Sequence, residues 1–292
     1  MRALVIGAGG FLGGPIRARL AAAPGTTVIA AGRSGSATRI DLTGDPADIA
    51  ATLRDLAPDV VVNATGRTAG SDPELVAGNV LTTGNLVAAL RISVPRARLV
   101  HLGSAAEYGA GIPGRPCRES DHASPVGVYG SAKLTATELV RASGLDAVVL
   151  RVFNPIGPHA PVATLPGRLL AELRRGGRQV HTGSLAAVRD FVDTVDVARA
   201  VHEAVISPGS LPAVINVGSG RATELRALAA GLAAAAGSGA VFVEDRAGSA
   251  RSAAVPWQCA DISLARAVLS WEPRIPFEES LQRMWAEAAD AA

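Results

Sequence analysis

Met1-Arg2-Ala3-Leu4-Val5-Ile6, followed at once by Gly7-Ala8-Gly9-Gly10-Phe11-Leu12-Gly13, decides how this chain folds. A short apolar run rich in Val and Ile ends at a glycine cluster, and an Ala/Leu/Arg-rich helical pattern occupies residues 15–23. The order predicts strand, tight turn, helix. Gly7, Gly10 and Gly13 stand three apart, and each has its own task in a dinucleotide-binding turn. The first lets the chain turn at the strand end, the second lets backbone approach a pyrophosphate, and the third lets helix pack on strand. Phe11 and Leu12 lie at the helix start, where amide hydrogens and a positive dipole face phosphate. A glycine-rich turn carries little by itself; its place between strand and helix gives it meaning.

Beyond this unit, apolar runs at 27–31, 60–63, 98–102 and 147–152 alternate with segments long enough for helices. That alternation predicts a doubly wound α/β fold with a parallel sheet, the Rossmann arrangement. Val60-Val61-Val62 and Val148-Val149-Leu150 have the unbroken apolar character of strands buried on both faces. Ligands of such sheets bind beyond the carboxyl ends of the strands, where Gly7, Arg33, Asn63, Ser104 and Asn154 fall. After Gly157-Pro158 the pattern changes to a helix over 165–175, a strand over 179–182, a helix over 191–206 and a strand over 214–217. From Thr223 onward the chain reads as short helices around one strand at 241–244. The expected division is a dinucleotide-binding domain of residues 1–157 with 190–217, and a smaller C-terminal α/β substrate lobe of 158–189 with 218–292.

The 292 residues carry 28 basic and 26 acidic side chains, a net charge of +2, which makes no electrostatic case for nucleic acid. Cys117 and Cys259 are far apart, and the five histidines lack paired spacing. Neither a disulfide framework nor a metal site is expected. With no leader pattern and no apolar run reaching about 18 residues, the expectation is a cytoplasmic protein with a small-molecule ligand and no membrane partner.

Tyr129-Gly130-Ser131-Ala132-Lys133 is the second informative stretch. On a helix it places the only lysine of the chain one turn from one of its two tyrosines. A phenol with a pKa near 10 is a poor acid-base group at neutral pH, and a neighbouring ammonium favours its ionised form. The lysine can also hydrogen-bond the ribose hydroxyls of a nicotinamide cofactor. Ser104, just past the 98–102 run, can hydrogen-bond a substrate carbonyl oxygen. Ser104, Tyr129 and Lys133 are therefore the candidate catalytic residues.

Here the chain resembles the extended short-chain dehydrogenase/reductase family, which holds nucleotide-sugar epimerases, dehydratases and 4-ketoreductases. Asn79-Val80-Leu81-Thr82-Thr83-Gly84-Asn85-Leu86 resembles the family's N-V-x-G-T-x-N-L, and Leu102-Gly103-Ser104 through Glu107-Tyr108-Gly109 its serine strand end. Arg151 to Pro158 resembles R-x-x-N-x-x-G-P, Arg189-Asp190-Phe191-Val192 to Ala198 the R-D-F-V segment, and Leu269 to Pro273 the L-G-W-x-P segment. The resemblance implies cofactor contacts from Asp41, Leu42, Asn63 and Ala64. It also implies that Asn154 faces a substrate diphosphate with Arg189 and Arg246 binding its charge, and that two copies pair as a homodimer.

Three departures narrow the reaction. Sugar 4,6-dehydratases of the family carry an acidic pair after the catalytic serine or threonine, where this chain has Ala105 and Ala106. Glu107 lies one place too far, so dehydration is not expected. The 3,5-epimerase/reductase branch has a cysteine near that serine, and Cys117 is too far downstream to stand for it. The second strand ends in Gly32-Arg33-Ser34 with no acid, so a ribose 2′-phosphate is attracted rather than repelled. That favours NADPH over NAD, and with it net ketone reduction. The leading expectation is an NADPH-dependent ketoreductase acting on a nucleotide-linked 4-keto-deoxyhexose. Two alternatives stay open: a nucleotide-sugar 4-epimerase with bound NAD, favoured by Phe153-Asn154-Pro155-Ile156-Gly157 with His159, and a ketoreductase of a non-sugar product such as a polyketide.

Overall fold

In the computed structural model, which describes residues 1–33, 38–247 and 254–287, the glycine unit forms as read. Strand β1 (Arg2–Ile6) runs into the turn, and helix α1 (Gly13–Ala21) leaves it. The main sheet adds β2 (Thr27–Gly32), β3 (Thr38–Arg39), β4 (Val60–Asn63), β5 (Arg98–Ser104), β6 (Ala147–Val152) and β11 (Val214–Val217). Its seven strands lie parallel in the order β11-β6-β5-β4-β1-β2-β3. The order reverses beside β1, so the carboxyl ends of β1 and β4 open the crevice where such sheets bind ligands.

Strand periodicity divides the core. Ala3 and Val5 face one side with Val62, Val100 and Ile215, beneath α1 and α7 (Thr194–Ile206). Leu4 and Ile6 face the other with Val61, Leu99 and Val149. They meet Leu53 of α2 (Pro46–Leu56) and Leu86 and Leu90 of α4 (Thr82–Ser93), and Val140 of α5 (Gly127–Arg141) packs there too. Leu53, Leu86 and Leu90 are fully buried, so each contributes about 1.5–3 kcal/mol by leaving water.

Residues 72–93 form one helical run: α3 (Asp72–Val76), a single π-helical turn at Ala77–Leu81, then α4. By length and composition alone this run could cross a membrane; in the fold, α4 packs on α2 and α5.

A third apolar cluster belongs to the C-terminal part. Leu169, Leu170 and Leu173 of α6 (Leu165–Arg174) meet Leu228 and Leu232 of α8 (Leu225–Ala235). Leu281 and Met284 of α10 (Phe277–Glu287) complete the cluster. Short strand pairs flank it: β7 (Pro155–Ile156) with β10 (Val192–Asp193), β8 (Gln179–His181) with β13 (Val241–Val243), and β9 (Val188–Arg189) with β12 (Thr223–Glu224). Helix α9 (Ser263–Leu269) returns to the sheet beside β11. Phe11 of the glycine turn packs on this third cluster.

Two features depart from the sequence reading. The expected 191–206 helix begins only at Thr194, because β10 pairs with β7 and Asp193 caps the helix by accepting the Val195 N–H at 2.7 Å. The second carboxylate oxygen of Asp193 accepts from Ser280 Oγ at 2.7 Å, which ties α10 to the start of α7. Strand β3, only two residues long, is too short to leave a pattern.

Candidate active site

The glycine turn is closed by steric need. Gly7 has φ +85°, and a Cβ there would meet Ala64 O at 2.9 Å; a Cβ on Gly13 would lie 1.9 Å from Gly7 O. Gly9 and Gly10 are exposed; a Cβ on Gly9 would meet nothing within 4 Å, and one on Gly10 only Gly7 O at 3.2 Å. Two glycines thus pack turn against helix and strand, while two leave bare backbone on the open side. No side chain caps the N-terminus of α1, and its first turn holds no acid. The donor set and the open backbone fit a dinucleotide pyrophosphate.

At the end of β2, Arg33 is exposed, and the register sets Gly32 opposite Arg39. Ser34 lies outside the described residues. Asp41 is held below the usual carboxylate range by hydrogen bonds from Thr43 Oγ1 (2.7 Å) and Thr43 N (3.0 Å), with added pull from Arg33 and Arg39. Arg39 is the residue that sequence reading missed here, since only strand register sets it opposite Gly32, where it acts on Asp41 together with Arg33.

Two of the expected cofactor residues have their side chains turned inward. Leu42 is buried in the core, and its carbonyl accepts from Asn85 Nδ2 at 2.9 Å. Asn63 is fully buried: its Oδ1 accepts from Thr65 N and Oγ1, and its Nδ2 lies 3.1 Å from His101 Nδ1. Its side chain builds the turn after β4 instead of facing the cleft, and half-buried Ala64 sits against Gly7.

Ser104 ends β5, and its Oγ accepts from Ala106 N at 3.2 Å in a short 3₁₀ turn, Ala105–Glu107. Helix α5 brings Tyr129 and Lys133 to this turn for a specific reason. A Cβ on Gly130 would lie 2.7 Å from Ala106 O and 2.9 Å from the Pro125 side chain, so glycine lets the helix lie directly against the serine turn. Tyr129 is half-buried; Lys133 is 5% exposed and donates to Leu102 O at 2.6 Å. Burial pushes the lysine down to about 8, against the upward pull of Glu107.

Glu107 itself is fully buried. Its carboxylate accepts from Ser104 N (2.7 Å), Arg151 Nε (2.7 Å) and Thr137 Oγ1 (2.9 Å). Arg151 lies over the ring of Tyr108, whose phenol is pushed up to about 12 by burial. Of the two tyrosines, Tyr108 is locked in the interior, and Tyr129 is half-buried next to Gly130 on the helix that rests against the serine turn.

The expected substrate residues divide. Asn154, at φ +22°, donates from Nδ2 to Asp190 O at 2.9 Å, tying the end of β6 to the Arg189-Asp190 loop. Arg189 is 8% exposed and donates to Val188 O at 2.8 Å. Arg246 is exposed and lines a cavity of about 280 Å³ together with Arg168, Leu169, His181 and Thr182. The buried Thr182 hydroxyl on that cavity has no hydrogen-bond partner among the described residues. A larger cavity, about 630 Å³, lies between α8 and residues 273–282, and none of the expected site residues lines it. Among the described residues no cluster of His, Cys, Asp and Glu could hold a metal ion.

Residues 3–218 match the model of the NAD dependent epimerase/dehydratase family. The chain is 37% identical to a dTDP-6-deoxy-L-talose 4-dehydrogenase (NAD(P)(+)) of Kitasatospora kifunensis, over 99% of this chain and 96% of that protein. Among solved structures it resembles MoeE5 in complex with UDP-glucuronic acid and NAD, at 26% identity and a TM-score of 0.85 over the whole of both chains. It also resembles RMD from Pseudomonas aeruginosa complexed with NADPH, at 25% identity and a TM-score of 0.85 over 100% of this chain and 99% of that one. A glycine turn shaped for a pyrophosphate, a serine turn seated on a Tyr-Lys helix and likeness over the full length lead to one conclusion. The chain belongs to the NAD-dependent epimerase/dehydratase family of extended short-chain dehydrogenases/reductases and is an NAD(P)-dependent enzyme of that kind.

Proposed function

We propose that this enzyme reduces the 4-keto group of a nucleotide-linked 6-deoxyhexose with NADPH. The observation that carries the reading is the fate of Glu107. Ala105 and Ala106 follow Ser104, and the next residue, an acid, is turned into the interior with its carboxylate taken by Ser104 N, Thr137 and Arg151. The serine turn therefore offers the substrate no carboxylate for removing water, which supports a reaction confined to hydride and proton transfer at one carbonyl. The dTDP-6-deoxyhexose 4-dehydrogenase that matches nearly the whole chain supports carbon 4 as the reacting centre.

In this reading Ser104 Oγ donates to the carbonyl oxygen and holds it, and Tyr129 delivers the proton to that oxygen. Lys133, as an ammonium, stabilises the phenolate left when Tyr129 gives up its proton, and holds the cofactor ribose. When bound, reduced nicotinamide supplies the hydride. Arg33, with Arg39 opposite the neighbouring Gly32, supports choice of the 2′-phosphorylated cofactor, because guanidinium forks match phosphate oxygens. Arg246 and Arg168 at the 280 Å³ cavity support an anionic, nucleotide-bearing substrate over a neutral polyketide. Exposed Val76, Leu81 and Ile92 on the 72–93 helical run support pairing of two copies through that face.

The test is to incubate the enzyme with a dTDP-4-keto-6-deoxyhexose and either NADPH or NADH. Stoichiometric consumption of NADPH with formation of the 4-hydroxy sugar supports the proposal. Interconversion of 4-hydroxy epimers without net cofactor consumption establishes the epimerase reading in its place.

A further inference from the structure

Lys133 has to stay a cation in a place that disfavours charge. It is 5% exposed, and its Nζ donates to the Leu102 carbonyl, which carries no net charge. The ionisable groups around it come from three elements. From β5, His101 is 1% exposed. Because the Thr65 N–H fixes Asn63 Oδ1 as acceptor, Asn63 Nδ2 donates to His101 Nδ1, and the imidazole proton sits on Nε2. Burial, reinforced by the Lys133 charge, holds that histidine well below its usual range, so it stays neutral. From α5 itself comes Tyr129, one turn away. From the 3₁₀ turn after β5 comes Glu107, whose Oε2 is bound to Thr137 of α5, one turn beyond Lys133, and to Arg151 of β6. Gly66 and Asn79 near the lysine are uncharged.

The carboxylate has a built place. A Cβ on Gly103 would lie 2.7 Å from Glu107 Oε1 and 2.7 Å from Val149, so the glycine before the serine makes the room. We propose that Glu107 is a positioning residue for the reaction: its charge keeps Lys133 an ammonium, while the same carboxylate anchors the backbone of Ser104. One buried acid thus couples the orientation of the serine to the charge of the lysine. Its interior direction, which removes it from dehydration chemistry, is what gives it this task. The inference rests on the catalytic roles assigned above to Ser104, Tyr129 and Lys133.

The sequence supplies an unusual probe, since Lys133 is the only lysine of the 292 residues. Protein labelled with carbon-13 at lysine Cε gives one lysine side-chain signal, whose pH titration reads Lys133 with no substrate present. The wild type is expected to titrate near pH 8. Glu107→Gln should lower the midpoint by about one pH unit or more, the scale of losing a near opposite charge. Because that variant leaves Arg151 buried without its anion, the double variant Glu107→Gln with Arg151→Met, neutral at both positions, is titrated as well. It should also titrate below wild type, and the alkaline limb of kcat for carbonyl reduction should move with it. A lysine midpoint unchanged in the double variant overturns the proposal. A shifted midpoint in a protein that reduces no keto sugar leaves Glu107 as the holder of the lysine charge and overturns the catalytic reading instead.

Discussion

Replacing Lys133 with Met should make the protein more stable at neutral pH and less active. The lysine is at about 8 in the folded protein against 10.5 in a solvated chain. Below about pH 8 it is charged in both states, and the folded state bears the cost of burying that charge. Between about 8 and 10.5 the unfolded chain binds more protons than the folded one, so the lysine's contribution to stability rises with pH through that window. The difference of 2.5 pKa units corresponds to about 3 kcal/mol at about 1.4 kcal/mol per unit, an order-of-magnitude figure. The lost hydrogen bond to Leu102 O offsets about 1 kcal/mol of the gain. Urea unfolding of both proteins at a series of pH values measures the effect. The stability advantage of the Met variant should be largest near pH 7 and should shrink by about 3 kcal/mol towards pH 10.5. A difference independent of pH would refute the reasoning, because it would mean that the buried lysine keeps its ordinary proton affinity. Turnover in the reduction direction should fall over the lower part of the same window in wild type, so stability and activity should move in opposite directions.

Tyr129→Phe should lower turnover by about 10² or more while leaving cofactor affinity nearly intact, as measured by steady-state kinetics and cofactor fluorescence titration. Arg33→Ala should weaken NADPH by about 1.5–3 kcal/mol and hardly change NADH; equal weakening of both in competitive titration would show that Arg33 only packs on adenine. Gly13→Ala places a methyl where the structure allows 1.9 Å to Gly7 O, so cofactor binding should be lost with a fall in melting temperature. Gly9→Ala, with nothing within 4 Å, should keep the fold and lose only cofactor affinity, as calorimetry and thermal unfolding together would show.

The five main strands of the first half were legible because buried parallel strands leave unbroken Val/Ile/Leu runs, and the glycine spacing was legible because Gly7 and Gly13 have no steric substitute. The Tyr129-Lys133 spacing could be read as one turn of a helix, and Ser104 as the residue just past the 98–102 run. What could not be read depends on where side chains turn. Asn63 and Leu42 stand at the right strand end and loop, yet one bonds inward to His101 and Thr65 and the other joins the core. Glu107 reads in the sequence only as an acid one place too far for dehydration; that it turns inward against Gly103 follows from the 3₁₀ turn after β5. Arg39 came opposite Gly32, next to Arg33 in the chain, only through the register of a two-residue strand, and α7 starts at Thr194 because β10 pairs with β7.

The central claim is hydride delivery to carbon 4 of a nucleotide-linked keto sugar, and transfer of deuterium tests it most directly. The enzyme is incubated with NADPH deuterated at nicotinamide C4 on the transferred face and a dTDP-4-keto-6-deoxyhexose, and the product is examined by mass spectrometry and NMR. The account predicts one deuterium per product molecule, at carbon 4 of the sugar, with one NADPH consumed for each. A product free of deuterium, or a label placed at another carbon, would contradict it.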